Sequence, residues 1–366
     1  MGISLLILIP LIEFSGVMVL KKVNCISLRL RHILKIKSEV AMITLTRRPR
    51  RNRKSTAIRS LVQETHLHPS QFVAPLFIAE GYDQLQPISS MPGIFRYSTD
   101  RVLHEVESLL QLGIQTVDLF PYVPEEKKDQ WGTEALREGN LMHQTIKMLK
   151  KEFPELCVML DVALDPYTSH GHDGILSDKG IIENDATLEI LGKMSLLAAE
   201  AGVDIIAPSD MMDGRVGYIR DILDEAEFSD VNILSYAAKF ASAFYGPFRN
   251  ALDSYPRSGD KKSYQLNPAN RREALLESIL DEAEGADMLL VKPALAYLDI
   301  LADVRSETYL PVGAYHVSGE YSMVMAAAER GWLDADKVFL ESLTCIKRAG
   351  ADFIFTYAAK RIANIL

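Results

Sequence analysis

The amino-acid sequence predicts an α/β fold, a (β/α)8 or TIM barrel preceded by an extended N-terminal arm. From residue 70 onward, short β-branched or aromatic runs alternate eight times with longer stretches of helical periodicity. Four of the runs follow a helix-ending glycine, in LGIQTVDLF, AGVDIIAPS, EGADMLLV and AGADFIFTY. A Gly at the helix C-terminus tolerates the left-handed backbone there, and a nearly continuous apolar run suits a parallel strand covered on both faces. The 366 residues suit one large barrel or two average domains, and the eightfold alternation selects the barrel. A doubly wound sheet is the structural alternative. It is weakened because no GxGxxG follows the first run and no GxxxxGK[ST] is present.

Residues 1–41 form an N-terminal extension. Its apolar stretch, residues 4–20, is 17 residues long and interrupted by Pro10 and Glu13, short of the roughly 20 residues needed to span a bilayer. The basic segment that follows reads as a targeting segment, or the extension is a mis-called start and translation begins at Met42. Residues 42–69 are read as an arm. Its RRPRRNRK segment holds six basic residues from Arg47 to Lys54 without interleaved aromatics, which suits a solvated arm on an acidic neighbouring subunit better than a nucleic-acid patch.

Residues 70–366 form the barrel. Its eight runs are QFVAPLFI from Gln71, TVDLF from Thr116, CVMLDVAL from Cys157, DIIAPS from Asp204, NILSY from Asn232, DMLLV from Asp287, PVGAY from Pro311 and DFIFTY from Asp352. Between them, NDATLEILGKMSLLAAEAG and NRREALLESILDEAEG carry apolar residues at three-to-four spacing and predict helices.

Charge divides the chain in the same way. The net charge of -9 averages a first 54 residues with 12 Lys or Arg against two acids, and a remainder with 28 against 47. The acidic body argues against nucleic acid as a partner, and no membrane partner is expected. Three scattered cysteines, Cys25, Cys157 and Cys345, form no framework and point to a reducing, cytoplasmic location.

Barrel active sites collect at the C-terminal ends of strands. Lys292 ends DMLLV and Lys239 follows NILSY. Burial at an apolar strand end disfavours an ammonium, and two such charges side by side lower each other's pKa, as Schiff-base formation with a ketone requires. The third run leads into DVALDPYTSHGHDG, with Asp161, Asp165, His170, His172 and Asp173. Its HxH admits a zinc hydrolase as a minor alternative, although only His316 lies beyond His172 to complete such a site. Arg249 and Lys261, with Gln265, form a candidate carboxylate clamp, and Ser318 and Tyr357 follow the last two runs.

These segments resemble a known family. GADMLLVKPALAY resembles the active-site lysine signature of the porphobilinogen synthases, also called 5-aminolevulinate dehydratases. APSDMMDGRVG, SYAAKFASAFYGPFR, VSGEYSM, GWL and ESLTCIKRAGAD resemble further blocks of that family in the same order. The resemblance covers roughly residues 44–366. It implies a lyase of haem and other tetrapyrrole biosynthesis that condenses two 5-aminolevulinate molecules asymmetrically into porphobilinogen, and an arm that wraps a neighbour in a homo-octamer. It further implies that Lys292 and Lys239 each form a Schiff base, that Ser318 and Tyr357 hold one substrate carboxylate, and that Arg249 and Lys261, near Gln265, hold the other. Asp161 and the loop Asp165 to Asp173 border the site.

The zinc-dependent members carry three cysteines where this chain has Ala163, Asp165 and Asp173. Carboxylates favour hard ions over zinc, so no catalytic zinc is expected. The resemblance implies instead an allosteric magnesium held at Glu277, and no organic cofactor. A class I aldolase, using a single imine lysine, and a non-catalytic carboxylate-binding barrel are the alternative functions.

Overall fold

A computed structural model describes residues 45–366; the extension at 1–41 and the Met42 start lie outside the described residues. The described residues divide into two units, one ending at Glu64 and the other spanning Thr65–Leu366. In the first, a 3-10 turn (Pro49–Arg53) precedes a short helix (Thr56–Leu61) whose N-terminus is capped by the Ser55 hydroxyl accepting from the Ile58 amide. Neither element buries a side chain.

The second unit is the barrel. Its strands are β1 (Phe72–Ala79), β2 (Thr116–Tyr122), β3 (Cys157–Val162), β4 (Ile205–Pro208), β5 (Asn232–Lys239), β6 (Met288–Lys292), β7 (Val312–His316) and β8 (Phe353–Thr356). Each falls on one of the eight apolar runs. Neighbours pair in parallel around the ring, and β8 closes on β1 through Phe72 opposite Ile354 and Val73 opposite Phe355. All eight residues of β1 are buried, as expected of a strand covered by side chains inside and helices outside.

The helices are α1 (Thr99–Gln111), α2 (Leu141–Glu152), α3 (Asn184–Ala201), α4 (Arg215–Glu225), α5 (Gly246–Leu252), α6 (Arg272–Ala283), α7 (Leu298–Glu307), α8 (Ser318–Glu329), α9 (Ala335–Ala349) and α10 (Ala359–Ala363). The predicted helices in NDATLEILGKMSLLAAEAG and NRREALLESILDEAEG are α3 and α6. The four predicted cap glycines, Gly113, Gly202, Gly285 and Gly350, all have positive φ, between 80° and 123°. At the N-terminus of α2, Asn140 Oδ1 accepts from the amides of Met142 and His143, a cap worth about 1 kcal/mol.

Several strand-to-helix connections are longer than a simple turn, and two of them meet over the strand ends. An antiparallel hairpin, Leu85–Pro87 with Phe95–Tyr97, leaves the end of β1, and Arg96 donates from it to the carbonyls of Ala251 and Asn250 at the end of α5. Between β5 and β6, α5 and the segment up to Leu266 fold over the strand ends, where Phe240 bridges to Leu266.

Candidate active site

Lys239 and Lys292 are the last residues of β5 and β6 and lie opposite each other in the ladder. The strand β5 is longer than the run NILSY and carries Lys239 itself. A strand alternates its side chains, so Tyr236 and Lys239 should face opposite ways. They face the same way because β5 spends three residues, Ser235 to Ala238, where β6 spends two, Leu289 to Val291. This bulge resets the alternation and turns Lys239 inward beside Lys292. Arg215, fully buried, pins the bulge: it donates to the Tyr236 carbonyl at 3.3 Å and the Ser235 hydroxyl at 3.0 Å, and pairs with Asp281 of α6 at 3.0 Å.

The two lysines, 6% and 5% exposed, line one narrow cavity. The Lys292 ammonium faces aromatic rings: Tyr315 at 4.2 Å, Tyr236 and Phe248 at 5.0 Å and Tyr245 at 5.5 Å. Burial, reinforced by the Lys239 charge, pushes its pKa down to about 7. Across the cavity, burial pushes Asp161 up to about 7 against the pull of Lys292 and Lys239. Near neutral pH the pair thus offers an amine that can attack and a carboxyl that can give a proton.

Lys239 donates to the Ser209 carbonyl and lies 3.8 Å from Asp173. Lys261 lies 3.1 Å from Asp173 and 3.4 Å from Asp165, all three buried. Burial would raise the pKa of Asp173, but Lys261 and Lys239 outweigh it and hold it below the ordinary carboxylate range. In Asp165 burial wins and the pKa rises. Lys261 is stabilised as the cation by these two carboxylates, despite its burial. Arg249 of α5 and Gln265 complete the wall, and Gln265 Oε1 is buried without a hydrogen-bond partner.

Eight of the sequence-predicted residues therefore share one cavity: Asp161, Asp165, Asp173, Lys239, Arg249, Lys261, Gln265 and Lys292. Ser318 and Tyr357 are not part of its wall. The Ser318 hydroxyl accepts from the Phe248 amide at 3.0 Å, and the Tyr357 hydroxyl lies 3.1 Å from that of Tyr315, so both stand behind the aromatic residues that face Lys292. Glu277 lies apart on α6, half-buried in a cleft with Asp213 and Glu273, where burial pushes its pKa up.

The HxH motif does something other than the metallohydrolase alternative requires. His172 uses both ring nitrogens, Nε2 toward the Ser258 carbonyl at 3.0 Å and Nδ1 toward the Tyr264 hydroxyl at 3.1 Å. The His170 carbonyl accepts from the Arg257 amide. The loop thereby holds the segment that carries Lys261. No cluster of three or more metal-ligating side chains occurs among the described residues. Asp118, Arg215, Asp210 and the aromatic residues around Lys292 were not singled out from the sequence. The available signal was charge inside apolar surroundings: Asp118 interrupts the run TVDLF, and Asp210 and Arg215 lie in APSDMMDGRVG.

A sequence model of the delta-aminolevulinic acid dehydratase family matches residues 46–365. The delta-aminolevulinic acid dehydratase of Chlamydia pneumoniae is 51% identical over 327 residues, 89% of this chain and 98% of the relative. The chloroplastic enzyme of Oryza sativa subsp. japonica is 53% identical over 329 residues, 90% of this chain and 77% of that one. Among solved structures, the delta-aminolevulinic acid dehydratase (porphobilinogen synthase) from Toxoplasma gondii ME49, in complex with the reaction product porphobilinogen, matches with a TM-score of 0.86 at 48% identity. It covers 88% of this chain and 92% of that chain.

Proposed function

The chain belongs to the delta-aminolevulinic acid dehydratase (porphobilinogen synthase) family, and from that premise we propose how its residues divide the reaction. The activity is that of a lyase of porphyrin biosynthesis: two 5-aminolevulinate molecules condense, with loss of water, into porphobilinogen. Lys292 forms an imine with the substrate that supplies the propionate side, and Lys239 with its partner. One imine anchors and orients a ketone while the other activates its neighbour for carbon–carbon bond formation. The observation that carries this reading is the pairing of the two buried lysines, in register on adjacent strands and lining one cavity.

Arg249 and Lys261 receive the carboxylate of the Lys239-bound substrate, with Gln265 offering its free acceptor to the amino group. Ser318 and Tyr357 receive the other carboxylate when the aromatic residues in front of them yield. Asp161 serves proton transfer. No catalytic zinc is assigned: Ala163 offers no donor, and Asp165 and Asp173 are engaged with Lys261. Magnesium is assigned to Glu277 as an allosteric ion held by that one carboxylate and water, because a half-buried carboxylate in an open cleft supplies the oxygen donor a hard cation prefers.

A homo-octamer with residues 42–69 as the exchanged arm accounts for the exposed apolar face of α6, where Leu276, Ile279 and Leu280 are each about half exposed. A cytoplasmic site fits the free thiols of Cys157 and Cys345. Among the described residues no helix is long and apolar enough to cross a membrane. The assignment is tested by trapping 5-aminolevulinate with borohydride and mapping the labelled peptides. Adducts at Lys292 and Lys239 are expected, and folded protein that acquires neither would refute it.

A further inference from the structure

Below the cavity, Asp118 sits on β2 and takes no part in the assignments above. It is fully buried, paired in the sheet with Pro75 of β1 and Met159 of β3. Phe120, two residues on, faces the barrel axis, with its ring centroid 5.1 Å from that of Phe248, so Asp118 shares the inward face. Its Oδ2 accepts from the Tyr236 hydroxyl at 3.4 Å, and its Oδ1 has no hydrogen-bond partner. The ring of that same Tyr236 lies 5.0 Å from Lys292 Nζ. A fully buried carboxyl with one unpaired oxygen costs the fold more than a leucine of similar size would.

We propose that Asp118, acting through Tyr236, stores the proton consumed when Lys292 forms its imine and becomes the buried counter-charge of that imine. The inference rests on Lys292 being an imine-forming lysine. The neutral amine adds to the substrate ketone to give a carbinolamine. The carbinolamine hydroxyl must take up a proton to leave as water, and the nitrogen then carries the positive charge of the iminium. Asp118 supplies the proton through the Tyr236 hydroxyl, which turns from Oδ2, donates its own proton toward the carbinolamine and accepts the carboxyl proton in its place. Carboxyl and carbinolamine become carboxylate, iminium and water, and the net charge of the barrel interior does not change.

The groups that face Asp118 suit this exchange. Asp161 comes from β3, Tyr236 from β5 and Lys292 from β6, and the phenols of Tyr315 and Tyr357 lie close enough to interact with its charge. The strands β1 and β4 bring no titratable side chain. Burial, with the neighbouring Asp161, holds the Asp118 pKa well above its ordinary value despite Lys292, so a proton is stored in the resting site.

The test uses the full-length enzyme with 5-aminolevulinate and cyanoborohydride. The rate of adduct formation at Lys292 is followed across pH for wild type, Asp118→Asn, Tyr236→Phe and the double variant, with melting curves for each. Adduct formation is expected to slow at least about tenfold in each single variant, and no further in the double, because the two act as one relay. Tyr236→Phe carries the test if Asp118→Asn does not fold. A wild-type adduct at Lys292 that forms equally fast, with the same pH dependence, in the folded variants would overturn this proposal alone. Absence of the wild-type adduct would overturn it together with the assignment of Lys292.

Discussion

Replacing Lys239 by methionine should make Lys292 more basic and so less reactive at neutral pH. Its surroundings push the Lys292 pKa down from the ordinary 10.5 to about 7. Burial is the larger cause and the Lys239 charge the second. Amines carried in register on adjacent strands lie roughly 5 Å apart. At an effective dielectric constant of about 20, their repulsion is worth about 3 kcal/mol at most. Removing the Lys239 charge favours the ammonium form of Lys292, so its titration moves upward by roughly one to two pH units. At pH 7 the neutral fraction of Lys292 drops from about half to between roughly 10% and 1%. Borohydride trapping of one 5-aminolevulinate at Lys292, followed as a rate against pH, should therefore slow roughly 5- to 50-fold at pH 7 and recover near pH 10. A midpoint that stays near 7 or moves down, in a variant that melts like wild type, would refute the coupling.

Lys261→Met leaves Asp165 and Asp173 buried without their shared cation, and should cost about 3–5 kcal/mol of stability at pH 7 in chemical denaturation. In the wild type the depressed pKa of Asp173 contributes stability above the unfolded carboxylate pKa, and this is lost as pH falls through the folded value. In the variant the sign reverses and stability should rise from pH 7 to pH 5; a loss that does not shrink on acidification would contradict the charge argument. Arg249→Ala removes half of the carboxylate clamp. It should raise KM for 5-aminolevulinate roughly 10- to 100-fold while Lys292 is still trapped, and an unchanged KM would remove Arg249 from the binding role. Glu277→Gln should abolish magnesium stimulation and shift the oligomer distribution in sedimentation, whereas a zinc-selective chelator should leave wild-type activity intact. Zinc-reversible inhibition would overturn the zinc assignment.

The eight strands were legible in the sequence because each is a short apolar run, and parallel strands covered on both faces cannot be otherwise. Five of the eight cavity residues stand in or just after such runs, where a barrel opens: Asp161, Asp165, Asp173, Lys239 and Lys292. Arg249, Lys261 and Gln265 come from the long excursion after β5, and their convergence depends on how that segment folds back over the strand ends. The loop histidines show the opposite case. HxH is compatible with a metal or with hydrogen bonding, and only the positions of Ser258 and Tyr264 decide that His172 secures the Lys261 segment.

Period and composition by themselves determined the barrel, its order of strands and the presence of two lysines at adjacent strand ends. Which way Lys239 points was decided by the tertiary structure. An unbroken alternation from Tyr236 would have turned it outward, and a bulge of one residue, held by Arg215 from α4 and Asp281 from α6, turns it back. The chemical state of Lys292 was decided there too, since burial and the neighbouring charge lower its pKa, and both come from parts of the chain far apart in sequence. Local pattern specifies what a segment can become; the side of the wall a residue faces, and the field it meets there, belong to the assembled barrel.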